Sequence, residues 1–199
     1  MGMNMNLNEI RDKIIESVLP SVAFDGWNMA SLEDAARQSG LDSDVVHAVF
    51  PGGVSEAVGH FSDWADRRML DALACENIED LRIRDRIRCA VFARLGVLTP
   101  HKEAVKLAMS YWLLPARSGQ AGRSIWSSAD CIWNWAGDQS TDYNHYTKRG
   151  LLCGVLSSTT LAWLNDDSDD MAVTAEFLDR RIENVMKLGR FIGRFKKAS

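Results

Sequence analysis

The sequence predicts an all-α fold, on three observations. Apolar residues recur at spacings of three and four along almost all of the 199 residues, which places them on single faces of helices. Proline and glycine fall between these stripes, where helices start and stop. Near the N-terminus the order helix, short helix, glycine turn, short helix follows a helix-turn-helix plan. The expected organisation is a helix-turn-helix-like module over residues 1–53 and a larger bundle over 54–199, with about nine or ten helices in total.

Leu7, Ile10, Ile14 and Val18 define the first helix, which Pro20 is expected to end or kink. Phe24-Asp25-Gly26-Trp27 reads as a turn anchored by two aromatic rings. Ser31 and Asp34 have the spacing of a capping box, opening a short helix that ends at Gly40. A second short helix, from about Ser43 to Phe50, is stopped by Pro51-Gly52-Gly53. Val54, Ala57, Val58, Phe61, Ala65 and Met69 mark a longer helix beside Trp64. The next runs from about Glu79 to Leu98 on Ile83, Ile87, Val91 and Leu95. Its arginines (Arg82, Arg84, Arg86, Arg88 and Arg94) are expected on a solvated face, paired with Asp80 and Asp85. Thr99-Pro100 supplies the start signal of a helix that carries Val105, Ala108, Met109, Trp112 and Leu113 and closes at Pro115. A Gly/Ser loop then precedes a helix with Ile125, Ala129, Ile132 and Trp133. Ser140 or Thr141 caps a further helix to about Trp163, and the acidic stretch NDDSDD is expected to be exposed. The last helix starts near Met171, with Phe177, Leu178, Ile182, Val185 and Met186 on a broad apolar face.

Charge narrows the function classes. The formal net charge is −4, which argues against nucleic acid as the main partner. From Asp25 to Gly53 five acids (Asp25, Glu33, Asp34, Asp42, Asp44) stand against Arg37 alone, a balance of −4. The second short helix, SDVVHAVF, holds no Lys or Arg, whereas DNA readers need cations there. The four cysteines at 75, 89, 131 and 153 form no CxxC pair and read as reduced thiols of a cytoplasmic chain. The four histidines have no metal-ligand spacing. No cofactor or metal is expected. No glycine-rich phosphate loop, paired Glu-x-x-His motif or Cys–His couple supports an enzyme. No apolar run reaches the ~18 residues of a membrane span. The first residues, MGMNMNLNEIRDK, hold neither a signal core nor a transit segment, so a bacterial protein or a mature form is expected.

The densest polar chemistry lies between Asp138 and Arg149. Asp142, His145, Tyr146 and Arg149 recur there at three and four and share a helix face. A capped helix start with one local Asp142–Tyr146–Arg149 pairing accounts for these residues. The longer pattern D-x-I-W-x-x-A-G-D-x-S-T-D-x-N-x-Y-T-K-R-x-x-L, from Asp130 to Leu152, resembles the signature of the accessory lipid-binding family of ubiquinone (coenzyme Q) biosynthesis, the family of the ninth Coq protein. Phe24–Trp27, Leu113-Leu114-Pro115 and the Phe177–Ile182 segment extend the resemblance over most of the chain.

The resemblance implies a TetR-type fold and a non-catalytic accessory role. It implies binding of an isoprenoid or quinone lipid and presentation of that lipid to a membrane-associated enzyme, the demethoxyubiquinone hydroxylase. Met109, Trp112, Leu113, Trp126, Ile132, Trp133, Leu152 and Leu156 fit a cavity lining, and they equally fit a filled core. The exposed partner surface is expected at Asp142, His145, Tyr146 and Arg149. His145 departs from the large aromatic or apolar residue usual there in the family. Membrane contact is expected at the C-terminal helix through Phe191, Ile192 and Phe195 with Arg194, Lys196 and Lys197, peripheral to the inner membrane of a bacterium, or on the mitochondrial matrix side in a mature eukaryotic form. A homodimer is expected. The alternative is a TetR-type transcription regulator that senses an apolar ligand. A third reading is a ligand-free helical dimer.

Overall fold

The computed structural model describes residues 6–141 and 143–197, with only the backbone of Tyr143 and residues 188–197. Every regular element among the described residues is helical: α1 Leu7–Asp25, α2 Met29–Gln38, α3 Val45–Val49, α4 Val54–Ala72, α5 Ile83–Leu98, α6 Lys102–Trp112, α7 Ser118–Trp135, α8 Tyr143–Leu164 and α9 Ala172–Lys197. Short 3-10 turns lie at Thr99–His101, Pro115–Arg117 and Asp169–Met171. The chain divides into two compact units, Met1–Arg68 with Val97–Ser124, and Met69–Gly96 with Ile125–Ser199.

In the first unit, α1 starts on a capping box. Asn6 accepts from Glu9 N at 3.0 Å and Glu9 returns a bond to Asn6 N at 2.9 Å. The expected end at Pro20 is not found, and α1 continues to Asp25. Val18, Leu19 and Val22 flank the proline and are buried. Burying each such side chain is worth about 1.5–3 kcal/mol, which offsets the missing proline donor. The cap of α2 is also not where the sequence suggests. Asn28, not Ser31, accepts the first bond, from Ser31 N at 2.9 Å, and Ser31 is buried inside the helix. Of the two aromatics at the turn after α1, only Trp27 anchors it. Its Nε1 donates to Ala104 O of α6 at 3.1 Å, whereas Phe24 is 90% exposed.

Polar side chains tie α1 to α4. Arg11 bonds Glu56 at 2.5 Å and Val49 O at 2.7 Å, and Trp64 donates to Glu16 at 2.9 Å. Asp12 accepts from the buried His60 at 2.7 Å and from Arg67. Burial holds the His60 imidazole below its ordinary pKa, against the raising effect of Asp12.

In the second unit, α8 packs along α9, around Ile132, Leu152, Leu156, Trp163 and Leu178, all buried. The α5 arginines are not simply a solvated face. Arg82 and Arg84 pair with Asp85, but Arg86 donates to Ala136 O at 2.9 Å, Arg88 bonds Asp179 of α9 at 2.6 Å, and Arg94 is buried against Ser128. The acidic stretch after α8 is not wholly exposed either. Asp166 is buried and caps the next helix, accepting from Thr174 N at 2.7 Å and Thr174 Oγ1 at 2.6 Å. Burial raises its carboxyl, but the hydrogen bonds from Ser168 and Thr174 outweigh that and hold it well below the usual carboxylate range. The Gly/Ser segment expected as a loop forms the first turns of α7.

Candidate functional site

The site is the junction between α7 and α8, in the second unit. α7 ends in a Schellman turn. Asp138 N donates to Trp133 O at 3.0 Å and Gly137 N to Asn134 O at 3.1 Å. Gly137 has φ 86°, and a Cβ there would stand 3.2 Å from Arg86 Nη1. The sequence Ala-Gly-Asp therefore has local causes. Ala136 presents a carbonyl to Arg86, Gly137 supplies the left-handed residue, and Asp138 turns its carboxylate toward α8.

Arg149 lies at the centre, its side chain 2% exposed. It donates from Nε to Asp130 at 2.5 Å, from Nη1 to Asp138 at 3.1 Å and His145 O at 3.4 Å, and from Nη2 to Asn134 at 3.2 Å. Asp138 also accepts from Lys148 at 2.6 Å and from Ser140 Oγ at 2.7 Å. Lys148 stands 5.5 Å from the centre of the Trp133 ring. Burial pushes the Asp138 carboxyl up, but the bonds from Lys148, Ser140 and Arg149 outweigh it and bring its pKa down to about 2. Two carboxylates and two cations compensate each other, so the network fixes geometry rather than supplying a reactive group.

Above this network lies an open polar cleft of about 360 Å³, lined by Asn134, Asp138, Gln139, Ser140, Thr141, His145, Tyr146 and Arg149. His145 Nδ1 faces Ser140 O at 3.0 Å and donates to it, since a carbonyl oxygen can only accept. Tyr146 is 64% exposed, with its ring 5.1 Å from His145 and 6.2 Å from Trp126. No group of three or more potential metal ligands occurs among the described residues.

The structure brings His145, Tyr146 and Arg149 together, but Arg149 is a buried strut and not part of an exposed face. Asp142 lies outside the described residues. Of the residues expected to line a lipid cavity, Ile132, Leu152 and Leu156 are buried in the second unit, with Trp126 and Trp133 half-buried. Met109 and Trp112 are half-buried in the first unit. Leu113 is 81% exposed, which corrects its expected place in an interior lining. Phe191, Ile192, Arg194, Phe195, Lys196 and Lys197 continue α9, and their side chains lie outside the described residues. Sequence reasoning missed Asp130 and Asn134 as partners of Arg149. Both lie within the signature itself, but a spacing rule for one helix does not reach across a turn.

Fold and site together define an all-α protein with a charge-locked junction between α7 and α8. The crystal structure of a TetR transcriptional regulator from Nitrosomonas europaea matches with a TM-score of 0.69 at 19% identity, covering 89% of this chain and 98% of that one, a likeness of fold. Residues 119–189 match the COQ9 family model. The chain is 32% identical over 188 residues to the mitochondrial ubiquinone biosynthesis protein COQ9 of Rattus norvegicus, covering 91% of this chain and 60% of that one. It is 30% identical to the Homo sapiens protein of that name, with 91% of this chain and 59% of that one covered. For the Drosophila melanogaster protein the identity is 31%, with 92% of this chain and 57% of that one covered. The chain is thus similar to COQ9 proteins over about nine tenths of its own length. It spans about three fifths of the length of these relatives.

Proposed function

We propose that this chain is a non-catalytic accessory protein of ubiquinone biosynthesis. It binds an isoprenoid lipid, a polyprenylated quinone intermediate, and presents it to a membrane-associated enzyme of the demethoxyubiquinone hydroxylase type. Similarity to the mitochondrial ubiquinone biosynthesis protein COQ9 supports the pathway. The observation that carries the lipid half is a pair of buried polar atoms in the second unit. Trp133 Nε1 and Thr159 Oγ1 have no hydrogen-bond partner among the described residues. Each such orphan costs about 1–3 kcal/mol, and the carbonyl oxygens of a quinone head are acceptors of the kind either one lacks. Trp126, Trp133, Leu152 and Leu156 are the tail contacts in this reading. The need for a carrier is physical, since each CH₂ of a tail exposed to water costs roughly 0.8 kcal/mol.

The exposed Tyr146, with His145 beside it, is the partner surface, and the buried Arg149 network holds that surface in place. The C-terminal part of α9, with Phe191, Ile192, Arg194, Phe195, Lys196 and Lys197, makes the peripheral contact with the inner membrane. No helix among the described residues is long and apolar enough to cross a membrane. The chain works as a homodimer. The regulator alternative is disfavoured by the acidic helix-turn-helix region, where His47 of α3 pairs with Glu33 at 3.2 Å and no cation faces outward from α3. Native mass spectrometry with lipid extraction, on protein purified from its own host, tests the reading. A co-purifying isoprenoid or quinone is expected, and lipid-free protein that also ignores added quinone contradicts it.

A further inference from the structure

The connection from α6 to α7 is built unlike the other turns of the first unit. Leu113, Leu114, Pro115 and Ala116 are consecutive, apolar and all exposed, with Leu113 at 81% and Leu114 at 51%. The backbone under them is braced. Arg117 lies 3.6 Å from the centre of the Tyr111 ring and donates to Tyr111 O at 3.1 Å. The Tyr111 hydroxyl meets Ser55 of α4 at 2.7 Å, Arg117 N donates to Leu114 O at 2.9 Å, and Ser118 Oγ donates to Pro115 O at 2.8 Å. A braced turn that holds two leucines outward loses apolar burial that a looser chain would recover.

Charge identifies what covers this tip. From Ala104 to Ser124 there is no Asp or Glu, although the chain holds 27 acidic residues. The same stretch carries Lys106, which pairs with Glu103 just before it at 3.9 Å, and then Arg117 and Arg123 with no acid between or beside them in sequence. An apolar tip followed in the chain by Arg117 and Arg123 matches the headgroup region of a bilayer containing anionic lipid. A four-residue tip is also too small to supply the roughly 800 Å² per partner that a stable protein interface needs. We infer that the Leu113–Ala116 turn is a membrane-inserting element that docks the first unit on an anionic lipid surface, separately from α9. The inference rests on the peripheral-membrane part of the proposed function, but its test reads the turn and not the cargo.

The test uses the full chain, vesicles of phosphatidylcholine with and without phosphatidylglycerol, flotation, and hydrogen exchange of peptides covering residues 112–117. Phosphatidylglycerol vesicles are expected to slow exchange across the turn. The variant Leu113→Asp/Leu114→Asp should float on the order of ten-fold less well, with unchanged helical circular dichroism. A second variant, Phe191→Asp/Phe195→Asp, should keep the vesicle-dependent protection of the turn at saturating lipid. Flotation of the Leu113→Asp/Leu114→Asp variant at the wild-type level overturns the inference, as does unchanged exchange in the turn of vesicle-bound wild type. Protection that follows protein concentration instead of lipid also overturns it and assigns the tip to a contact between copies. Failure of the carrier reading has a different signature, the absence of extractable lipid, which leaves the turn's vesicle response intact.

Discussion

Two helix junctions in this chain are solved in opposite ways. Between α7 and α8 the turn is closed by charge. Arg149 and Lys148 converge on Asp138, Asp130 shares Arg149, and the polar groups satisfy one another around the buried Arg149–Asp138 pair. Between α6 and α7 the turn is braced from beneath by Tyr111 and Arg117, while its apolar tip stands in solvent. The first junction commits strong interactions to internal geometry. The second leaves favourable apolar burial unmade. Substitutions at the first should therefore act on stability, and substitutions at the second on association.

The largest expected effect breaks the first junction at its centre. Arg149→Ala leaves Asp130 and Asp138 without their shared cation, and removing one partner of a buried pair costs about 3–5 kcal/mol. Urea unfolding followed by circular dichroism would show this as a lower midpoint with little change in slope. Next comes acidity. The Asp138 pKa of about 2 lies below its ordinary value of 3.8, so the group stabilises the fold above that ordinary value. This stabilisation, about 2 kcal/mol, is lost as pH falls from about 4 toward 2. In Asp138→Asn that part of the acid dependence should disappear, which unfolding midpoints measured across the window would reveal. Gly137→Ala is a smaller insult, about 1–2 kcal/mol, from a side chain at positive φ beside Arg86. The smallest effect belongs to the other junction. Leu113→Asp should change stability by less than about 0.5 kcal/mol, and a larger loss would mean that the tip is packed and the contrast between the junctions is false.

Much of the fold was legible because helical periodicity is a local property. The stripes of α1, α4 and α5 follow directly from apolar residues at three and four. Errors arose where a long-range contact overrode a local rule. Pro20 does not stop α1 because Val18, Leu19 and Val22 are buried around it. Ser118 to Ser124 reads as a flexible loop by composition, yet it is the start of α7. Asp166 sits in an acidic run that suggests solvent, but the open N-terminus of α9 needs an acceptor and Asp166 supplies it. At the candidate site, spacing placed His145, Tyr146 and Arg149 on neighbouring turns of α8. It gave no means to see that Arg149 points back to Asp130 and Asn134 on α7 while Tyr146 points out. Hydrophobicity alone groups Leu113 with interior residues, because it does not distinguish a buried leucine from a displayed one.

We propose that the Arg149 network holds the exposed start of α8 in place for a partner enzyme. The most direct test is a calorimetric titration of this chain against the demethoxyubiquinone hydroxylase of the same organism, held in lipid nanodiscs, with wild type and Tyr146→Ala compared. The account predicts saturable binding by the wild type. Tyr146→Ala should weaken it by about ten-fold or more, the loss of one exposed aromatic anchor, with its unfolding midpoint unchanged. Equal affinity in the variant, or no binding by the wild type, would contradict the account.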